Sequence, residues 1–184
     1  MDIKFDARDL ALSGVFAGLY IVVNVVQMVS PAGNPSIFGP IQLRVADCLI
    51  ALAALFGLPV VTGVTVGCVI VNAFGAIGPV DIVFGSIANL VAASFVFMFR
   101  KRMLLACVIG SLPIGIIVGG GYLWLFFPQF DILGLSLHPL LATMISITVS
   151  SLIAIAGIGY MLLRILSRPG IIGSLKSRGL KTPS

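Results

Sequence analysis

Glutamate is absent from this 184-residue chain, its negative charge rests on six aspartates, and it holds a single histidine. Charged residues make up only 9% of the sequence, whereas a soluble domain carries roughly a quarter. Such a chain cannot dress a surface against water, which excludes a soluble enzyme, a nucleic-acid-binding module and a disordered tail. Cysteine is scarce too. Cys48, Cys68 and Cys107 stand singly within apolar runs, with no CxxC spacing, so neither a zinc site nor a disulfide framework is expected. HExxH, GxSxG, GxxxxGK[ST] and paired metal-binding aspartates are all missing. Catalysis is therefore not expected, no cofactor is implied, and ATP hydrolysis by this chain alone is excluded.

What is present is apolar: 59% of the residues are hydrophobic. The first run, Leu10 to Val29, would span about 30 Å as a helix, the thickness of a bilayer core. Its length, and Asp2, Asp6 and Asp9 before it, argue against a cleaved leader. A Pro/Gly-rich loop from Pro31 leads to Arg44. Runs from Val45 to Phe56 and on to Phe74, broken at Gly57-Leu58-Pro59, read as two short helices joined by a tight turn. A fourth run extends from Ile82 to Phe99, with Asp81 at its N-cap, and ends at Arg100-Lys101-Arg102. The fifth, Met103 to about Phe127, holds Pro113 and Gly119-Gly120-Gly121, which predicts bending or partial unwinding. The sixth runs from Pro139 to about Leu166. The expectation is an all-α integral membrane protein, a six-helix transmembrane bundle over residues 1–168, with a loose, basic cytoplasmic tail at 169–184.

Charge gives the orientation. With six spans, ten of the eleven Lys/Arg residues fall on the side of the termini, and Arg44 alone lies opposite. The positive-inside rule then places both ends in the cytoplasm and Arg44, Asp47, Asp81, Asp131 and His138 outside. Polar groups near lipid turn toward a protein interior or cavity. Asn24, Gln27, Gln42, Arg44, Asp47, Asn72, Asp81, Asn89, Tyr122 and Trp124 thus become candidates for an outward pocket suited to a planar, nitrogen-rich solute. Plainer readings stand beside this one. Asp81 caps its helix; Arg44 and Asp47 pair at the surface; Asn72 and Asn89 join helices; Tyr122 and Trp124 belong to an interfacial belt. Thr143, Ser146 and Ser150 form a small polar stripe, and the first helix carries Ser13-xxx-Ala17 and Gly14-xxx-Gly18, either for internal packing or for a partner helix.

The stretches LALSGVFAGLY, GPIQLRVADCL, GVTVGCVIVNAFG and DIVFGSIANLVAA, in that order, resemble the QueT-like family over roughly residues 10–95. Those proteins are substrate-binding S components of energy-coupling factor (ECF) vitamin transporters, linked to queuosine precursors. The resemblance implies a six-helix protein of the cell membrane that takes a small heteroaromatic solute from outside. It also implies partners: a transmembrane coupling subunit and, through it, two cytoplasmic ATPases. Ser13 and Ala17, with Gly14 and Gly18 beside them, would be the docking residues. Gln42, Arg44, Asp47, Asn72 and Asp81 would lead the pocket set. In helix six the chain has Ser150-Ser151 where the family pattern suggests a carboxylate. The competing readings are a stand-alone facilitator, disfavoured by the lack of a midplane carboxylate for ion coupling, and an integral-membrane enzyme, disfavoured by the missing ligand sets.

Overall fold

The computed structural model describes residues 5–30, 43–75, 77–126 and 137–177. Every regular element among them is helical. Four helices are long and apolar enough to cross a membrane: α1 (Ala7–Val29), α4 (Pro79–Met98), α5 (Met103–Phe126) and α6 (Pro139–Leu166). Two shorter apolar helices, α2 (Val45–Phe56) and α3 (Leu58–Ala73), lie between α1 and α4. A final helix, α7 (Pro169–Ser177), occupies the start of the basic tail, which was expected to be loose. Its Ile172 packs against the core cluster and holds it to the bundle.

Local chemistry accounts for the ends. Asp6 caps α1 by accepting from the Arg8 and Asp9 backbone N–H groups at 3.0 Å, while the Asp9 side chain returns the bond to Asp6 N–H at 3.1 Å. Gly57 has a φ of 70°, a left-handed conformation that suits glycine, and Pro59 sits in the first turn of α3. The break between α2 and α3 is therefore the tight turn its residues suggest. α2 is wound as a tight 3₁₀ helix from Val45 to Leu52 and is almost wholly buried, as a span too short to face lipid on its own must be.

α5 and α6 bend the helical rule without breaking it. The expected loosening of α5 takes the form of π turns over Gly115–Leu123, directly after Pro113, whose missing N–H disturbs the α ladder. α6 carries a second π stretch, Leu152–Gly159. The core is built of small residues as much as large ones: Ala46, Ala51, Ala53, Ala88, Ala92, Ala93 and Ala106 are all fully buried. Large apolar side chains such as Val22, Val26, Val29, Phe84, Ile116 and Ile153 stay exposed, the pattern of surfaces that lipid covers.

Small residues also set the distance between α1 and α3. A Cβ at Gly63 would lie 2.7 Å from both the Phe16 Cβ and the Ser13 carbonyl oxygen. At Gly67 it would lie 2.9 Å from the Tyr20 Cβ and 3.0 Å from the Ala17 oxygen. Only glycine permits this approach. Ser13 strengthens the seam through a 2.7 Å hydrogen bond to the Thr62 hydroxyl.

Candidate functional site: a buried charge cluster at one end of the bundle

Arg44, at the entry to α2, is only 7% exposed, and Asp81 is completely buried. A guanidinium drawn into an apolar bundle must find partners or unfold its surroundings. Arg44 Nη1 donates to Asn72 Oδ1 at 3.1 Å, and Nη2 lies 3.4 Å from Asp81 Oδ2. Asn72, on the last turn of α3, donates its own Nδ2 to the Asp81 carbonyl oxygen at 2.8 Å. The Tyr122 hydroxyl of α5 donates to the other Asp81 carboxylate oxygen. Four helices thus converge on one ion pair.

A second network adjoins the first. The Tyr20 hydroxyl donates to Asp47 Oδ1 at 2.7 Å and accepts from Asn89 Nδ2 at 2.9 Å. Tyr20 is fully buried on the face of α1 that Gly67 approaches, so the glycine seam fixes the ring that orients Asp47. Sequence reasoning passed over Tyr20. Its position four residues after Phe16 and four before Asn24, one buried stripe, was the available signal. Gln27, one of the pocket candidates, braces the chain on both sides of Arg44. Its Nε2 donates to the Leu43 carbonyl at 2.6 Å and its Oε1 accepts from the Val45 N–H at 3.0 Å.

Several plainer readings give way. Asp81 is not the N-cap of α4; Gly78 holds that position, and the Asp81 carboxylate is committed to Arg44 and Tyr122. Arg44 and Asp47 are buried rather than paired at the surface. Tyr122 is only 3% exposed and bonded into the cluster, so it is no belt aromatic. Trp124 stays outside the cluster, half-buried, its ring 6.3 Å from that of His138. Thr143 ties α6 to α5 by donating to the Gly119 carbonyl at 2.9 Å. Gln42 and Asp131 lie outside the described residues.

Between the polar networks and α5–α6 lies a cavity of ≈ 10 Å³ lined by Arg44, Asp47, Gly85, Asn89, Ile114, Val118, Ile147 and Ser151. That is room for about one water. Gly85 maintains it: a Cβ there would stand 2.5 Å from Asn72 Nδ2 and 3.1 Å from Asp81 Oδ1. Its far wall stands where α5 and α6 pass from α to π turns. Among the described residues, two buried polar atoms lack a hydrogen-bond partner, Asn24 Oδ1 and Ser86 Oγ. Of the docking candidates, Ser13 and Ala17 are buried against α3, whereas Gly14 and Gly18 face open space.

Apolar helices of membrane-crossing length, closed around a hydrogen-bonded charge cluster, define an integral membrane protein. Residues 10–168 match the model of the QueT transporter family. The chain belongs to that family, one of S components of ECF transporters, and it is a membrane transport protein. Comparisons with curated proteins and with solved structures return no match.

Proposed function

We propose that the chain is the substrate-capturing S component of an ECF-type importer: a multi-pass protein of the cell membrane whose α1–α6 make six passes and whose termini are cytoplasmic. The solute is a queuosine precursor or a related deazapurine. One observation carries the reading: two buried carboxylates, Asp47 and Asp81, accompany one buried guanidinium among the described residues, that of Arg44, which pairs with Asp81 while Asp47 is held by the Tyr20 hydroxyl. A solute bearing a protonated amine and ring donors would balance that set, while Asn72, Asn89 and the unpaired Asn24 carbonyl supply amide hydrogen bonds. Because the cavity has room for about one water, binding requires α5 and α6 to draw back from the polar wall, with Ile114, Val118 and Ile147 supplying apolar contact to a ring.

Transport energy would come from two ATPases through a transmembrane coupling subunit docked on α1. The open Gly14/Gly18 face supports this, together with a groove of ≈ 480 Å³ lined by Phe5, Leu10, Gly14 and Val66 among others. Topology is testable apart from chemistry. A cysteine introduced at Ser36 should label from outside intact cells, over a low background because Cys48, Cys68 and Cys107 are buried. Labelling only after permeabilisation would reverse the orientation.

The decisive measurement is calorimetry with a deazapurine precursor on Arg44→Ala, Asp47→Asn and Asp81→Asn, each first checked for folding. Loss of one partner of a buried charged hydrogen bond weakens binding by about 2–5 kcal/mol, roughly thirty-fold to several-thousand-fold. Binding by all three within about threefold of wild type would move the site elsewhere.

A further inference from the structure

A third concave surface lies away from the charge cluster, along the last turns of α6. It is a groove of ≈ 780 Å³ whose lining includes Gly157, Tyr160, Met161, Arg164, Ile165 and Arg168. Those positions recur at spacings of three and four, so they form one stripe along the helix. The stripe is graded. Gly157, Met161 and Ile165 make an exposed apolar trough, and Arg164 and Arg168 close it with two exposed guanidinium groups one turn apart. Neither arginine has an ion pair or side-chain hydrogen bond among the described residues. α7 starts immediately after them, its first turn anchored by the Arg168 carbonyl, which accepts from Ile171 and Ile172 N–H at 3.0 Å each. The positive end of the α7 dipole therefore adjoins the two cations.

We infer that this groove is a binding site for one anionic phospholipid, its phosphate held by Arg164 and Arg168 and an acyl chain laid along Ile165, Met161 and Gly157. A phosphate offers several acceptor oxygens to two arginine forks, and an acyl chain matches a trough with no Cβ at Gly157. Neither half of the stripe explains the other: a free anion has no use for the trough, and a neutral lipid has none for paired cations. Under the proposed topology the lipid comes from the cytoplasmic leaflet, where anionic headgroups attract basic residues. The site itself does not depend on that orientation or on the transported solute.

The test is native mass spectrometry of the full chain in detergent, titrated separately with phosphatidylglycerol, phosphatidylcholine and glycerol phosphate. Wild type should retain phosphatidylglycerol at least about tenfold better than phosphatidylcholine, and glycerol phosphate should not be retained. Arg164→Gln/Arg168→Gln should abolish the preference, Arg164→Lys/Arg168→Lys should restore part of it, and Gly157→Leu should weaken both lipids. Lys101→Gln/Arg102→Gln, which removes the same charge from another basic cluster, should leave the preference within about twofold. An equal loss in that control would reduce the effect to general charge and overturn the site. Retention of glycerol phosphate at lipid-like affinity would overturn the lipid assignment. Normal lipid binding by the Arg164/Arg168 variant, with loss of copurification of the coupling subunit, would make the groove a protein contact instead.

Discussion

Two glycine pairs of identical spacing, Gly14-xxx-Gly18 on α1 and Gly63-xxx-Gly67 on α3, have opposite environments. A Cβ at Gly63 or Gly67 would collide with α1 at under 3 Å, while one at Gly14 or Gly18 meets nothing within 4 Å among the described residues. The motif states that a helix can come close; it does not state which helix. The pair on α3 has already been answered inside the chain, by the stripe of Ser13, Phe16, Ala17 and Tyr20. The pair on α1 has no such answer among the described residues. The pair on α3 also reaches the candidate site, since the ring that Gly67 presses against carries the hydroxyl between Asp47 and Asn89.

The sharpest way to break this contrast is at Gly63. Gly63→Ala puts a methyl group against backbone as well as side chain, and a loss of about 1–3 kcal/mol is expected; Gly63→Leu should prevent recovery of monodisperse protein. Thermal unfolding in detergent, followed by size-exclusion chromatography, measures both. Unfolding of both variants at the wild-type temperature would mean that α1 and α3 part at no cost, and the contrast would collapse.

How far these features were legible in the sequence follows from the solvent. In water, an outward helix face is polar and an inward one apolar, so periodicity reveals the core. In lipid both are apolar: Leu19, Val22 and Val26 face out of α1 while Phe16 and Tyr20 face in, and hydrophobicity alone cannot separate them. Hence the helical runs, the Gly57-Leu58-Pro59 turn and the family motifs could be read directly, but the sides of Ser13/Ala17 and Gly14/Gly18 could not. The charged residues were legible because charge near lipid must be accounted for. Their grouping with Asn72 and Tyr122 could be read as well, but the individual pairings could not, because α3, α4 and α5 are brought to Arg44 by packing that no local pattern encodes. Trp124 resembled Tyr122 in sequence, two positions away, yet that offset on a helix turns it to a different face.

After Gly63→Leu, the ion pair carries the largest expected effect. Removing one partner of a buried pair strands the other, at a cost of about 3–5 kcal/mol. Arg44→Met should therefore destabilise the protein strongly, and adding Asp81→Asn should recover part of the loss. The double-mutant cycle should give a coupling of about 1–3 kcal/mol, against none for Arg44→Met with Gly14→Ala. Strictly additive effects would show that the 3.4 Å contact contributes nothing beyond proximity.

Tyr20 belongs to both regions, and Tyr20→Phe separates them. The ring, and with it the seam against Gly67, is retained; only the hydroxyl that joins Asp47 to Asn89 is lost. A hydrogen bond to a carboxylate contributes about 1.5–3 kcal/mol. The variant should bind the deazapurine precursor roughly ten-fold to a hundred-fold more weakly while α1–α3 packing survives. If unfolding temperature falls as far as in Gly63→Ala and affinity does not change, the hydroxyl serves the fold and not the site.

The smallest expected change in stability is at Gly14. Gly14→Leu adds a side chain to open space, so unfolding should stay within about 0.5 kcal/mol of wild type. Calorimetric affinity for the solute should be unchanged too, because Gly14 is exposed and lies six residues before Tyr20 and ten before Asn24 along α1. Copurification with the proposed coupling subunit should nevertheless be lost, since a leucine would hold an approaching helix away from the α1 backbone. The value of the experiment lies in its opposition to Gly63: one glycine changed with the fold at stake, the other with only assembly at stake. Normal assembly by Gly14→Leu would mean that the open face of α1 is simply a lipid contact. The partner would then have to approach through another surface, and the two glycine pairs would differ only in that one of them is used.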